Sequence, residues 1–269
     1  MIKLIFSDMD GTLLDSKGCL PPDFDEVIAQ LAARGVLFAP CSGRQYFSLL
    51  DSFPAYRDKF LFVAENGALV MYQGRELFAS VMERALIRQV VLAVAARFPE
   101  ACCLLCGKRA AYIRQEQAGD AVRAALEKYG THFVTAADFS AIGDEPVKLS
   151  FFDPSGRAES TVYQALQPFT DRLHVICSDA HWVDVMNRES NKGAAIRQVQ
   201  QKLGVRPDEC AAFGDALNDR EMMEAVGCSF AMANAHPKIQ ALARFAAAGN
   251  DEGGVLRAIR RLIAEGLCG

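Results

Sequence analysis

The sequence predicts an α/β protein: a parallel-sheet core interrupted by a separate α+β unit. Two observations predict it. Near both ends of the chain, apolar runs of strand length alternate with amphipathic helical stretches, the pattern of a parallel sheet covered by helices. Between them the order changes to one helix, two strands, a helix, a strand, a helix and two more strands. This assigns 1–82 and 188–269 to the core and 83–187 to the insertion.

Each core element follows from local signals. Residues 2–7 are mostly apolar and read as a buried strand. Pro21, Pro22 and Asp23 open a helix whose Phe24, Val27, Ile28 and Leu31 recur at helical spacing, and Gly35 ends it. Val36 to Cys41 is the next strand, a short helix runs from Arg44 to just before Pro54, and Phe60 to Ala64 is the third strand. Ala68–Tyr72 and Glu76–Ala79 flank Gln73-Gly74 as a hairpin. Toward the C-terminus, Asn191 caps a helix that reaches Leu203, with Gly204 just beyond. Cys210–Phe213 and Ser229–Met232 are strands, and helices follow around Met222, Met223 and Val226 and from His236 to Ala243.

Within the insertion, Glu83–Phe98 is a long helix and two strands meet around Gly107-Lys108. Helices at about 118–129 and 156–167, a strand at Val147–Phe152, and strands at 172–178 and 181–187 complete it.

With 269 residues and 51% hydrophobic content, the chain can bury a substantial core. A net charge of −4 and the lack of any basic arm give no reason to expect nucleic acid or an anionic membrane as partner. No segment reads as a signal peptide or a membrane span, so a cytoplasmic protein is expected. The nine cysteines are irregularly spaced and read as reduced thiols. Cys103 and Cys106 form a C-x-x-C with no matching second pair, so strand packing is expected there rather than zinc.

Four segments carry chemistry: Asp8-Met9-Asp10-Gly11-Thr12, Ser42-Gly43-Arg44, Asn191-Lys192-Gly193 and Gly214-Asp215-Ala216-Leu217-Asn218-Asp219. Three fall where a predicted core strand ends and one at a helix start, and ligands of open parallel sheets bind at the carboxyl ends of strands. Asp8, Asp10, Asp215 and Asp219 would crowd carboxylates together, and a hard divalent cation such as Mg²⁺ relieves the repulsion. Ser42 offers a hydroxyl, Gly43 an unobstructed N–H, Asn218 an amide, and Lys192 a positive charge beside a helix N-terminus; together they suit a phosphate. The combination describes phosphoryl transfer. A carboxylate at a strand end can attack phosphorus, which makes Asp8 the candidate nucleophile, and Asp10 can protonate the leaving alkoxide and later deprotonate water. Singly, each segment also has a structural explanation, as an acidic turn, a loop, a solvated helix start or a helix cap; their joint occurrence favours the chemical one.

The four segments together resemble the haloacid dehalogenase superfamily. Glu65-Asn66-Gly67-Ala68-Leu69, Ala231-Met232-Ala233-Asn234-Ala235 and the large insertion resemble its Cof-type branch, and the stretch from Ser42 through Phe53-Pro54 to Gly67 is similar to bacterial sugar phosphatases. The resemblance implies a Rossmann-like core with an inserted α+β cap that sets substrate specificity. It implies Asp8 as nucleophile and Asp10 as general acid/base. Mg²⁺ would be held by Asp8, the Asp10 main-chain carbonyl and Asp215. Phosphate would be held by the Met9 backbone, Ser42, Gly43, Lys192 and Asn218, with Thr12 steadying the loop and Asp219 supporting the metal or Lys192. Arg44, Asn66, Lys148, His181 and Asp184 are candidate substrate contacts; in the cap, Lys108, Arg109 and Trp182 are further candidates, for which surface charge or packing is the competing account.

The expected activity is Mg²⁺-dependent hydrolysis of a small phosphorylated metabolite, a sugar phosphate first. Pyridoxal phosphate, flavin mononucleotide or nucleotides are alternative substrates, and a phosphotransferase or mutase would use the same residues. A non-catalytic phosphate sensor has no need of both Asp8 and Asp10. The sequence does not reveal the oligomeric state.

Overall fold

In the computed structural model, which describes residues 1–128, 132–178 and 180–269, five parallel strands build one sheet. Their order is Phe245–Ala246, Cys228–Ala231, Cys210–Gly214, Leu4–Ser7 and Leu37–Pro40. Every residue of Leu4–Ser7 and of Cys210–Gly214 is buried, as near-continuous apolar runs in a doubly covered sheet require. Ser7 pairs with Phe213 on one side and Pro40 on the other. That register brings Asp8, Ser42 and Asp215 out of the same sheet edge.

The chain divides into two compact units. Met1–Gly43, Phe53–Phe78 and Asn191–Gly269 form the first, and Arg44–Ser52 with Ala79–Ser190 form the second. In the first, Leu61–Ala64, Leu69–Tyr72 and Arg75 onward make a three-stranded sheet, tied to the parallel sheet by a bridge between Cys41 and Val63. Phe24, Phe38, Phe53 and Phe60 pack as an aromatic cluster, with the Phe38 and Phe60 rings 5.1 Å apart. The Gly254–Ala264 helix buries Val255, Leu256, Ile259 and Leu262. It and the Phe245–Ala246 strand follow Ala243, after which the sequence reading assigns no element.

The second unit holds a six-stranded sheet in the order Leu173–Cys177, Trp182–Asn187, Pro146–Phe152, Cys102–Gly107, Ala111–Arg114 and Phe133–Ala136. All pairs are antiparallel except the last, which is parallel. On one face Leu86, Ile87, Val90 and Val94 of the Arg84–Arg97 helix pack with Val162, Ala165 and Leu166 against Cys103, Leu105, Leu149 and Phe151. Cys102, Leu104, Cys106, Phe152 and Leu126 form a separate cluster. Cys103 and Cys106 therefore belong to different apolar clusters and do not form a pair, and all nine cysteines are free.

Three local expectations shift. Phe133–Ala136 is an additional edge strand. The helix expected at 118–129 is Asp120–Lys128; position 129 lies outside the described residues. The helix expected at 156–167 shortens to Val162–Leu166. Gly156 has φ +69°, the Asp153 carboxylate accepts from the Ser155 N–H at 2.8 Å, and the Thr161 hydroxyl lies within hydrogen-bond distance of both the Asp153 carboxylate and the Arg157 carbonyl. These short polar side chains satisfy the backbone in a turn and delay the helix. No helix among the described residues is long and apolar enough to cross a membrane.

Between the Lys192–Leu203 and Arg220–Ala225 helices, Gly193 permits unusually close contact. A Cβ there would lie 2.1 Å from the Glu221 carbonyl oxygen. Glycine to alanine inside a helix ordinarily stabilises by about 0.5–1 kcal/mol. Here the sign should reverse: Gly193→Ala is expected to cost about 1–3 kcal/mol, read as a lower urea midpoint at unchanged slope. An unchanged or higher midpoint would contradict the close approach.

Candidate active site

Asp8 begins where the Leu4–Ser7 strand ends, and its N–H still reaches the Phe213 carbonyl at 2.9 Å. Lys192 opens the Lys192–Leu203 helix, whose N-cap Asn191 accepts from the Ala194 N–H at 2.7 Å. The fully buried Lys192 ammonium lies 2.5 Å from Asp8 Oδ1 and 2.6 Å from Asp219 Oδ1. Burying a charge is costly unless it is paired and hydrogen-bonded, and both conditions hold here. Burial alone would lower the Lys192 pKa, but the Asp219 and Asp8 carboxylates outweigh it and keep the ammonium charged.

Asp219 is fully buried as well. Its second oxygen accepts the N–H groups of Asp215 and Ala216 at 2.9 and 3.0 Å. Asp219 thus holds Lys192 with one oxygen and folds the Asp215 loop with the other. Asp215 stands at the end of the Cys210–Gly214 strand and accepts from the Thr12 hydroxyl at 2.6 Å. Gly11, at φ +77°, lies so close that a Cβ would sit 2.5 Å from Asp215 Oδ2. The loop after Asp8 and the loop after Phe213 are therefore locked together at Thr12 and Gly11.

One carboxylate oxygen each from Asp8, Asp215 and Asp219 lies within 4.8 Å of the others. Burial raises the Asp8 pKa well above the usual carboxylate range; Lys192 opposes this, while Asp219 and Asp215 reinforce it. Asp215 is raised too, by burial first and by Asp219, against the Thr12 hydrogen bond. One ammonium does not balance three acids, and a hard dication bound by oxygen suits this donor set. Because Asp219 is already engaged by Lys192 and two backbone N–H groups, Asp8 and Asp215 are the side chains suited to hold it. Asp10 is exposed, whereas Met9, Thr12 and Ser42 are buried.

The phosphate donors named from sequence lie in the same unit. Ser42 N–H bonds the Val63 carbonyl at 2.9 Å, which fixes the Ser42-Gly43 turn beside the Leu61–Ala64 strand. Asn218 is half-buried and donates to Asn66 Oδ1 at 3.2 Å. Asn66 is buried against Gly43. Asn234 and Asn250 are contributors that the sequence reading does not name as site residues. Asn234 Nδ2 donates to the Gly11 carbonyl at 2.7 Å and its Oδ1 accepts from the Asn250 N–H, while Asn250 Nδ2 donates to the Leu14 carbonyl at 3.0 Å. Asn234 sits within Ala231-Met232-Ala233-Asn234-Ala235, the signal that could have found it.

The remaining candidates belong to the second unit. Arg44 is half-buried. Lys148 and Asp184 are buried neighbours on adjacent strands, 3.7 Å apart, and Asp184 also accepts from the Ser150 and Ser178 hydroxyls. His181 is hydrogen-bonded to the Asp153 carbonyl at 2.8 Å and stacks on Phe152. Trp182 packs on Phe152, Lys108 pairs with Glu145, and Arg109 with Asp144.

The two loop acids should respond differently to neutralisation. Asp219→Asn places an amide group against either Lys192 or two backbone N–H groups and is expected to destabilise by about 3 kcal/mol. Asp215→Asn relieves repulsion among the acids and should leave metal-free stability unchanged or raised. Denaturant unfolding in EDTA checks both, and equal losses would contradict the division of labour.

Comparison with known proteins accords with this geometry. The sequence pattern of one family, described as haloacid dehalogenase-like hydrolase, matches residues 5–259. The 5-amino-6-(5-phospho-D-ribitylamino)uracil phosphatase YbjI of Escherichia coli (strain K12) is 31% identical over 267 residues, covering 97% of this chain and 96% of the relative. The crystal structure of SMU.1108c from Streptococcus mutans UA159 is similar at TM-score 0.86 and 29% identity, covering 98% of this chain and all of that one. The subclass IIB sugar phosphatase BT4131 shares the fold at TM-score 0.81 and 19% identity, covering 97% and 98% of the two chains. The chain belongs to the haloacid dehalogenase-like hydrolases and is a phosphatase of that family.

Proposed function

We propose that this enzyme hydrolyses a small phosphomonoester carried on a polyhydroxylated carbon chain, a sugar phosphate first, with Mg²⁺ and through an aspartyl-phosphate on Asp8. The observation that carries the reading is the buried Lys192 ammonium between Asp8 and Asp219, with Asp215 beside them. The sugar-phosphate class is supported by a fold shared with a sugar phosphatase. The similarity to a phosphatase of a phosphorylated ribityl compound supports a second substrate of the same chemistry, a ribitylaminouracil phosphate.

In this mechanism Lys192, Ser42, the Gly43 and Met9 N–H groups and Asn218 hold the phosphate oxygens. Lys192 also fixes Asp8, which leaves its other oxygen to attack phosphorus as the ester P–O bond breaks. Exposed Asp10 gives its proton to the departing alkoxide. It then takes a proton from the water that attacks the acyl phosphate, releasing inorganic phosphate and restoring Asp8. Mg²⁺, held by Asp8, Asp215 and the Asp10 carbonyl, would supply positive charge to the transferring group and to the crowded acids. Thr12 and Asp219 keep Asp215 and Lys192 in place. Arg44, Lys148, His181 and Asp184 are proposed to contact the part of the ester beyond phosphate, with Lys148 and Asp184 offering a donor and an acceptor suited to hydroxyl groups.

Phosphate release from sugar phosphates, the ribitylaminouracil phosphate, pyridoxal phosphate, flavin mononucleotide and nucleotides, with Mg²⁺ or EDTA, tests the reading. Metal-dependent release favouring polyhydroxylated esters is expected, and Asp8→Asn should abolish it while remaining folded. Release from Asp8→Asn at the wild-type rate would sink the nucleophile assignment.

The raised Asp8 and Asp215 pKa values fix the sign of the pH response. Metal must displace protons from these acids, so the half-saturating Mg²⁺ concentration should rise as pH falls. Without metal, a carboxylate raised on folding favours the folded state below its unfolded pKa and loses that contribution as pH rises through its folded pKa. The gain in Tm on adding Mg²⁺ should therefore grow with pH across that window. A gain that shrinks with pH would contradict this account.

A further inference from the structure

The Glu65-Asn66-Gly67 turn is conformationally unusual. Glu65 and Asn66 both have φ of +53° and Gly67 has +92°. Most side chains other than glycine are disfavoured in this left-handed region, asparagine least and glutamate more so, and such conformations persist where the surroundings over-determine them. The surroundings here are three of the four segments assigned to phosphate chemistry. The Asn66 N–H donates to the Ser42 carbonyl at 3.0 Å. A Cβ on Gly43 would lie 3.0 Å from both terminal atoms of the Asn66 amide. Asn218 donates to Asn66 Oδ1 at 3.2 Å. A Cβ on Gly67 would lie 2.4 Å from the carbonyl oxygen of Asn191, the residue before Lys192.

We propose that Asn66 is a positioning residue: by accepting from the Asn218 amide while packed against Gly43, it fixes the Asn218 N–H edge and the Gly43 turn as one preorganised phosphate-donor set. The inference rests on the phosphatase reading above. An amide can offer an anion either its N–H groups or its carbonyl oxygen, and the second is repulsive. With one Nδ2 hydrogen committed to Asn66, the plane of the Asn218 amide is set, and its remaining N–H has a defined direction. The left-handed backbone at Asn66 places the acceptor there, since it carries the side chain into the space that Gly43 leaves open.

Asn66→Gly separates positioning from folding. Glycine adopts the left-handed conformation without the Cβ penalty, so this variant should keep a Tm close to wild type while losing the amide. A misdirected donor weakens its charge-assisted hydrogen bond, so the loss should raise KM and the inhibition constant of inorganic phosphate by about tenfold. Because Asn66 acts in part through Asn218, the double variant Asn66→Gly/Asn218→Ala should lose less phosphate affinity than the product of the two single losses. Wild-type KM and phosphate affinity in Asn66→Gly would overturn the proposal. So would losses that multiply in the double variant, or a collapse in Tm that makes the amide a folding element. Direct calorimetric binding of inorganic phosphate keeps the test separate from the reading it rests on. Wild-type protein that binds phosphate through Asn66 and Asn218 but hydrolyses no ester would refute the phosphatase reading and leave the positioning role standing.

Discussion

A fully buried lysine held between two aspartates is the interaction on which the rest of this site depends. Lys192 could not remain charged in the core without Asp8 and Asp219, and each of those acids is delivered by a different strand end. The parallel register that aligns Ser7 with Phe213 is therefore also an electrostatic requirement. Asp219 extends the constraint by folding the Asp215 loop with its second oxygen. The result is an excess of buried negative charge that one ammonium does not balance. That excess is the physical argument for a dication and for the wide pH dependence expected of metal binding.

Close backbone approach carries the remaining precision. Gly11 lets the loop after Asp8 lie against the Asp215 carboxylate, and Gly193 lets the Lys192 helix lie against the Glu221 backbone. Asn234 and Asn250 add a second restraint by holding the Gly11 and Leu14 carbonyls. Positioning of this kind suits phosphoryl transfer, where the protein does little covalent chemistry beyond the nucleophile and works by placing charge.

Much of the site was legible in the sequence because its parts are side chains in fixed motifs. Asp8, Lys192, Asp215 and Asp219 are identifiable as residues, and the strand pattern says that they meet. Other features left weaker marks. Asn234 and Asn250 bond to backbone carbonyls, which no residue type announces. Phe133–Ala136 is an edge strand with two exposed residues, so its apolar signal is faint. The helix expected at 156–167 gives way to an Asp153-centred turn, where short polar side chains compete with helix formation. Arg44–Ser52 groups with the second unit, whereas its position between two core strands in sequence suggests the first. The Gly254–Ala264 helix carries a legible signal, with Val255, Leu256, Ile259 and Leu262 at helical spacing.

The central claim is that the carboxylate held by Lys192 becomes covalently phosphorylated. Turnover quenched in acid, treated with borohydride and digested would report it directly, because borohydride reduces an acyl phosphate to an alcohol. The account predicts homoserine at position 8 when substrate and Mg²⁺ are present, and unmodified aspartate there when substrate is omitted. Phosphate release with no modification at Asp8, or with modification at another carboxylate, would contradict it.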